Sequence, residues 1–458
     1  MKGGGITTHL RPRLGDSVAR GLLLGTIGTV TLNVASVCLN FALVLLLSRR
    51  LGVSGYGAYA SAFAWAGVLS VVAVLGLTPL VVRHVASYHA FESWGLLRGL
   101  LRRSNQSVAL ASAVTIAVAA GVGWLIYGQE PELLYPFWIA LLLVPLIALT
   151  SIRQAAMQGL GRVVLGRLPE TLVMPALFIC LVAAAASALD DDFTAVWATA
   201  LQVAATLCAF GLGVLFLRRS IPTPVRGATP EYEMASWRRS GLSLVALNVV
   251  MAANAQVGTI LLGALSGAAD AGVFNVATRT TTFISFIMLA ATYPLMPLAA
   301  RLYAAGDVRE LQHSVVRTAR VVLLFAAPTA LVLVILGPTI LSVFGSGFGD
   351  GATAVRILAI GELVNVLTGY GGLVLVMTGH EKDLARSVAL GAVVNLGLTV
   401  LLIPIVGIDG AAIGTATGLV CSNLLMTWLA WRRIGVWPAV VGQRLLLGHR
   451  SPPGPGNP

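Results

Sequence analysis

The chain has little charge and little that reacts. Only 10% of its 458 residues are charged, against about a quarter in an ordinary soluble domain, so a water-soluble domain of this size is excluded. Its four cysteines, Cys38, Cys180, Cys208 and Cys421, all sit inside apolar runs. Their spacing suits neither a disulfide framework nor a metal site. The six histidines fall in charged segments or tails without ligand spacing, and no metal or other cofactor is expected. The acidic run "DDD" at 190–192 reads as a short solvated turn. A nucleotide loop is missing too. The stretch "LSRRLGVSGYGAYA" at 47–60 is rich in glycine, but it lacks the preceding strand and the following Lys-Ser/Thr of a phosphate cradle. Gly52, Gly55 and Gly57 are instead expected to permit a tight helical reversal where φ must go positive.

What the chain has is apolar length. Hydrophobic residues make up 57% of it and the mean hydropathy is +0.88. The apolar runs are continuous, not alternating, and roughly 20 such residues cross a bilayer as a helix. Inside the hydrocarbon only helices and closed barrels satisfy their own backbone groups. The expected fold is therefore an all-α membrane protein of about twelve spans. The first six run approximately over 22–47, 58–82, 108–127, 133–151, 168–189 and 193–217. The second six run over 242–265, 271–300, 315–341, 352–378, 388–406 and 411–431.

Charge then orients the chain. With the N-terminus inside, 26 of the 30 basic residues fall on one face, while acids such as Glu130, Glu132, Asp270, Asp350 and Asp409 fall on the other. Such a bias predicts that both termini lie in the cytoplasm. Residues 1–21 then form a cytoplasmic tail rather than a signal peptide, 218–241 a cytoplasmic linker, and 432–458 a second tail with a Pro- and Gly-rich end. The net charge of +12 suits anionic headgroups, and no nucleic-acid partner is expected. Arg49, Arg50, Arg279 and Arg356 are the cations that escape the basic face.

The two halves, 22–217 and 242–431, echo each other. "GYGAYASAF" and "DAGVFNVAT" align Gly57 with Gly272, and Tyr59 with Phe274, 215 positions on; Asn33 meets Asn248 at the same offset. "TPLVVRHVA" and "MPLAARLYA" pair Pro79 with Pro297 and Arg83 with Arg301 at 218. "AMQGLGR" and "VMTGHEK" pair Gly159 with Gly379 at 220. Six spans return the chain to its starting side, so the repeats are parallel. The expected architecture is two six-helix lobes around a central cavity near the midplane, a common transporter plan.

"LSRRLGVSGYGAYASAF", its echo "LLGALSGAADAGVFNVATR" and "LLIPIVGIDGAAIGTATG" at 402–418 resemble the hairpins of bacterial polysaccharide-biosynthesis flippases of the multidrug/oligosaccharidyl-lipid/polysaccharide exporter superfamily. The resemblance implies a non-enzymatic flippase in the bacterial plasma membrane. It would carry polyprenyl-pyrophosphate-linked oligosaccharide outward, alone or with other polysaccharide-assembly proteins. The two additional helices typical of the peptidoglycan-precursor branch are absent from the twelve expected spans.

A sugar headgroup needs polar groups at bilayer depth, and a pyrophosphate needs a cation. The candidates are Asn33 and Asn40, seven apart and nearly on one face, with Asn248, Asn254 and Gln256 on the seventh span. Asn275 and Arg279 are four apart on the eighth. A charge in a span usually faces a cavity, so Arg279 is assigned to the pyrophosphate; snorkelling or an ion pair is the structural alternative. Glu362 in the tenth span would pair with Arg279 or Arg356, or carry a coupling proton or sodium ion. Arg356, Arg49 and Arg50 suit headgroup anchors. Two other readings compete. A cation-coupled multidrug exporter would need Glu362 as its membrane carboxylate. A membrane glycosyltransferase or polymerase would need acids in the first outer loop, which has none, or a large outer loop.

Overall fold

The computed structural model describes residues 11–189 and 192–440, with side chains described for 31–189, 192–233 and 248–440. Of the expected tail at 1–21, residues 1–10 lie outside the described residues and 11–21 are helical, forming the start of the first helix. Asp190, Asp191 and the part of the second tail beyond 440 also lie outside the described residues. Among the described residues no strand occurs.

The helices in chain order are α1 (Arg11–Val74), α2 (Leu77–Ala90), α3 (Trp94–Tyr127), α4 (Pro131–Ala140), α5 (Leu143–Gly159) and α6 (Val163–Leu168). A π-helical turn, Pro169–Val173, leads into α7 (Met174–Leu189), followed by α8 (Ala195–Ser220) and the short α9 (Thr223–Gly227). The second half holds α10 (Met234–Leu265), α11 (Ala268–Ala304), α12 (Val308–Ser342), α13 (Ala352–Thr368), α14 (Gly371–Met377), α15 (Glu381–Val406) and α16 (Ile408–Ile434). Among the described residues eleven stretches are long and apolar enough to cross a membrane. The first of them, Thr31–Val74, is interrupted at Gly52, whose φ of 67° and ψ of −175° are non-helical. Two limbs joined at Gly52 restore the expected twelve.

Three expected spans are broken where a continuous helix was expected. The second gives way at Leu75 and Gly76, both at positive φ, before α2 begins. The fourth is divided at Leu141–Leu142, between α4 and α5. The tenth ends at Gly369, at φ +74°, where a Cβ would lie 2.1 Å from the carbonyl oxygen of Pro438. There the segment after α16 folds back over the helix end, donating from Val440 N to Leu367 O at 3.0 Å.

The backbone carries the internal repeat more sharply than the sequence does. Gly52 and Gly267, 215 positions apart, both take positive φ with extended ψ at the hairpins opening each half. Glu92 and Gly306 hold the same turn, each with positive φ and an amide donating three residues back. These flanking offsets of 215 and 214 differ by about one helical turn from the 218 that pairs Pro79 with Pro297 and Arg83 with Arg301, and the break at Leu75 and Gly76 has no counterpart in α11. At the next turn Gly161 and Gly379 share positive φ and bonding, Arg162 N to Met157 O matching His380 N to Leu375 O. The partner of Gly379 is therefore Gly161, not Gly159. Left-handed helix ends favour glycine whatever its neighbours, which makes them better markers of register than apolar letters.

Helices α1 to α8 pack chiefly among themselves, as do α10 to α16; α1 reaches across to α10 and α11. Small residues set the closest crossings, as expected where lipid supplies no hydrophobic drive between helices. A Cβ on Gly391 of α15 would meet the carbonyl oxygen of Gly418 on α16 at 2.6 Å.

Candidate functional site

The end of the bundle opposite the arginine-rich loops is where the halves close on each other. Gly57 and Gly272, aligned by the repeat, touch there. A Cβ on Gly57 would lie 1.7 Å from the carbonyl oxygen of Ala268, and one on Gly272 would lie 2.5 Å from that of Val53. Arg49 donates through Nε to the carbonyl of Val343 at 2.7 Å, just past the C-terminus of α12, where unpaired carbonyls and the helix dipole favour a cation. Phe41 packs edge-on against Phe344, and Tyr56 against Phe348. Arg49 is thus a tie between halves rather than a free headgroup anchor.

Beneath this closure lies a cavity of about 310 Å³ between α1, α7, α8, α10 and α11. That volume sits at the lower end of the roughly 300–1,000 Å³ typical of small-molecule sites. Its polar lining comprises Ser36, Asn40, Tyr56, Tyr59, Gln202, Gln256, Asn275, Arg279 and Thr282; its apolar lining includes Phe41, Phe63, Met174, Phe283 and Phe286. Arg279 is the sole charged side chain in that lining, and no carboxylate joins it. Among the described residues no acid comes within ion-pair distance of it. It stands eleven residues into the 37-residue α11, about 16 Å along the axis from its first residue and within a helix long and apolar enough to cross a membrane. Snorkelling to the outer headgroups is not its geometry: its side chain faces the cavity.

The four-residue spacing of Asn275 and Arg279 does bring both into the cavity. Asn275 is buried and accepts from the Tyr56 hydroxyl at 2.9 Å, while its amide donates to Thr259 at 3.4 Å. Asn40 is exposed within the cavity and turns its amide back on Ser36. Gln256 also lines it. Asn33 lies below, on the same side of α1, and donates to Tyr293 of α11 at 3.1 Å. Asn248 is exposed and outside the cavity lining. Asn254 points the other way, accepting from Asn395 of α15 at 2.9 Å, an interhelical bond of the sort that competes with a binding role.

Glu362 accepts from Ser285 at 2.6 Å and from Asn365 at 3.1 Å. It pairs with neither Arg279 nor Arg356, and it lies outside the cavity lining. Arg356 instead donates to the carbonyl of Val334 at 3.1 Å.

Five of the nine polar cavity residues are not among the sequence candidates: Ser36, Tyr56, Tyr59, Gln202 and Thr282. Tyr56 and Tyr59 stand within the glycine-rich hairpin, where no spacing of polar residues marks them. Gln202 is a lone amide in the apolar α8 and accepts from Tyr59 at 3.2 Å, a polar group within a span of the same kind as Asn33. A buried charge pair was missed as well. Arg153, counted as a loop cation, is 3% exposed and salt-bridged to Glu170 on the π-helical turn. Gln154 supports the same carboxylate at 3.1 Å, and Gly213 of α8 leaves the space that the guanidinium fills.

Broken helices, paired hairpins and a polar cavity between two halves of membrane-spanning helices define a polytopic membrane protein of transporter architecture. The fold is that of solved members of the exporter superfamily. It aligns with the inward-facing conformation of a multidrug resistance MATE family transporter at TM-score 0.71, 13% identity, covering 87% of this chain and 94% of that one. With the lipid II flippase MurJ, inward closed conformation, the TM-score is 0.68 at 12% identity, over 89% and 87% of the two chains.

The chain belongs to the polysaccharide biosynthesis protein family, whose model matches residues 22–302. The MatE model matches 245–401. A probable flippase, AglR, of Haloferax volcanii is 25% identical over 216 residues, 46% of this chain and 44% of that protein. The chain spans less than half the length of the curated relatives it matches.

Proposed function

We propose that this protein is a flippase that moves a polyprenyl-pyrophosphate-linked oligosaccharide across the bacterial plasma membrane, alternating access between its two halves. One observation carries the reading: the cavity between the halves holds an arginine without a carboxylate, surrounded by amides and hydroxyls. An anionic, hydroxyl-rich headgroup complements that lining. Arg279 holds the pyrophosphate, since charge-assisted bonds from a guanidinium to phosphate oxygens are the strong ones. Asn40, Gln256 and Asn275 contact the sugar, and the polyprenyl tail stays in lipid. Asn33, Asn248 and Asn254 are not used at this stage of the cycle. The basic end faces the cytoplasm by the positive-inside rule. Glu362, held by Ser285 and Asn365 outside the cavity, is the residue at which a coupled proton or sodium ion acts.

The second reading, a multidrug exporter, draws on the MatE match and on the same fold. A cationic drug would meet a cation in this cavity, and that like-charge contact disfavours it.

The test is export in cells that depend on this protein. Arg279→Ala at matched expression is expected to slow transfer by on the order of 30-fold or more, the cost of removing one partner of a desolvated charge contact. Lipid-linked saccharide then accumulates on the cytoplasmic leaflet. Normal export by Arg279→Ala refutes the assignment, and efflux of a cationic dye that survives the substitution favours the multidrug reading.

A further inference from the structure

At the arginine-rich end of the bundle a groove of about 470 Å³ opens between the start of α3 and the segment joining the halves. Its walls carry Arg98, Arg102 and Asn105 from α3, and Arg226 from α9. Leu101, Ile221 and Val225 form its apolar floor. Arg98 and Arg102 are one turn apart and so share a face. Arg226 is brought over them by the linker, whose Glu231 N bonds to Gly95 O at 3.0 Å. Gly99 lets that strand of chain lie directly on α3, since a Cβ there would sit 1.8 Å from the carbonyl oxygen of Glu231.

Two of the three guanidiniums are held in place by backbone carbonyls, and none of the three is neutralised by an ion pair among the described residues. Arg98 donates to Ala228 O at 2.6 Å and Arg226 to Arg218 O. Each of these bonds uses one edge of a five-donor fork and leaves the remainder facing the groove. The carboxylate of Glu231 lies over Gly95, a turn before Arg98, and forms no ion pair with any of the three among the described residues. Three like charges around one groove repel each other, so the site is completed by an anion.

The surroundings say which anion. Above Arg102 the groove-facing side of α3 continues through Ala109 and Ala113, both exposed, with Leu110, 69% exposed, flanking it. From Arg102 to Ala113 is about 16 Å along the helix, the reach of an acyl chain lying in one leaflet. A cationic groove at headgroup level, continuous with an exposed apolar helix face, matches a phospholipid rather than a free ion.

We propose that this groove is a binding site for an anionic phospholipid, whose phosphate is held by Arg98, Arg102 and Arg226 and whose acyl chain lies along α3. The site is separate from the central cavity and touches both the first half and the linker. A bound lipid therefore braces the connection between the halves.

Native mass spectrometry of the intact chain released from detergent tests this, with phosphatidylglycerol and phosphatidylcholine titrated separately. The expected result is phosphatidylglycerol binding that the triple variant Arg98→Gln/Arg102→Gln/Arg226→Gln weakens roughly tenfold or more, from the contribution of juxtamembrane arginines to anionic-lipid attraction. Arg301→Gln/Arg309→Gln/Arg317→Gln removes equal charge from α11 and α12 and is expected to leave it within about twofold. If the triple variant does not fold, Arg102→Gln alone, which removes no hydrogen bond identified in the structure, is expected to lower affinity severalfold. Equal weakening by both triple variants, equal binding of the two lipids, or displacement of the lipid by millimolar inorganic phosphate would each overturn the proposal.

Discussion

Gly57→Ala puts a methyl group into the seam between the halves, and its consequence can be worked from the structure. The new Cβ would start 1.7 Å from Ala268 O, whereas carbon and oxygen rest at about 3.3 Å. The second limb of α1 and the N-terminus of α11 must therefore separate by roughly 1.5 Å, and both atoms involved are backbone, so no side chain can swing away. Overpacking of this kind costs about 1–3 kcal/mol, and it is charged only to the state in which the seam is closed. A penalty of that size moves a two-state equilibrium by about five- to 150-fold toward the state open on this face. Spin labels at Ser54 and Ser346, both exposed and on opposite sides of the seam, report the change as a distance by double electron–electron resonance. Gly67→Ala in the same limb meets nothing within 4 Å and serves as the control; it gains helix propensity of up to about 1 kcal/mol and leaves the distance alone. An unchanged distance distribution in folded Gly57→Ala would refute the view that this glycine contact closes the outer face.

Two further substitutions separate structure from transport. Glu170→Gln leaves Arg153 buried without its counter-charge, which costs about 3–5 kcal/mol and is read as a lowered midpoint of thermal unfolding in detergent; a midpoint equal to wild type would show the guanidinium to be solvated. Glu362→Gln keeps an acceptor for Ser285, so stability is expected to hold within about 1 kcal/mol. Transport by that variant should lose its response to collapse of the proton or sodium gradient, and a response that persists rules out ion coupling at this carboxylate.

The repeat shows where letters mislead. Gly57 and Gly272 were aligned by sequence, and they do meet at the seam. Gly159 was aligned with Gly379 by its neighbours, yet the left-handed turn belongs to Gly161. Backbone conformation decides which glycine is required, and a string of apolar residues on either side fits several registers equally well. The helix breaks at Gly76 and Gly369 were unreadable for a related reason. Gly369 bends beneath a segment seventy residues away in sequence, and Leu75 has no local feature that calls for positive φ.

The amino-acid sequence alone determined the class of protein, the twelve crossings, the segregation of charge and the glycine hairpins. These follow from the length of each apolar run and from local backbone preferences, which depend on near neighbours and on the solvent around them. Only the tertiary structure decided which polar groups share a chamber. Asn254 and Gln256 are two positions apart on α10, yet one bonds to Asn395 and the other lines the cavity. Two residues turn a helix by about 200°, and the rotation that aims one of them inward is set by packing against α11 and α15.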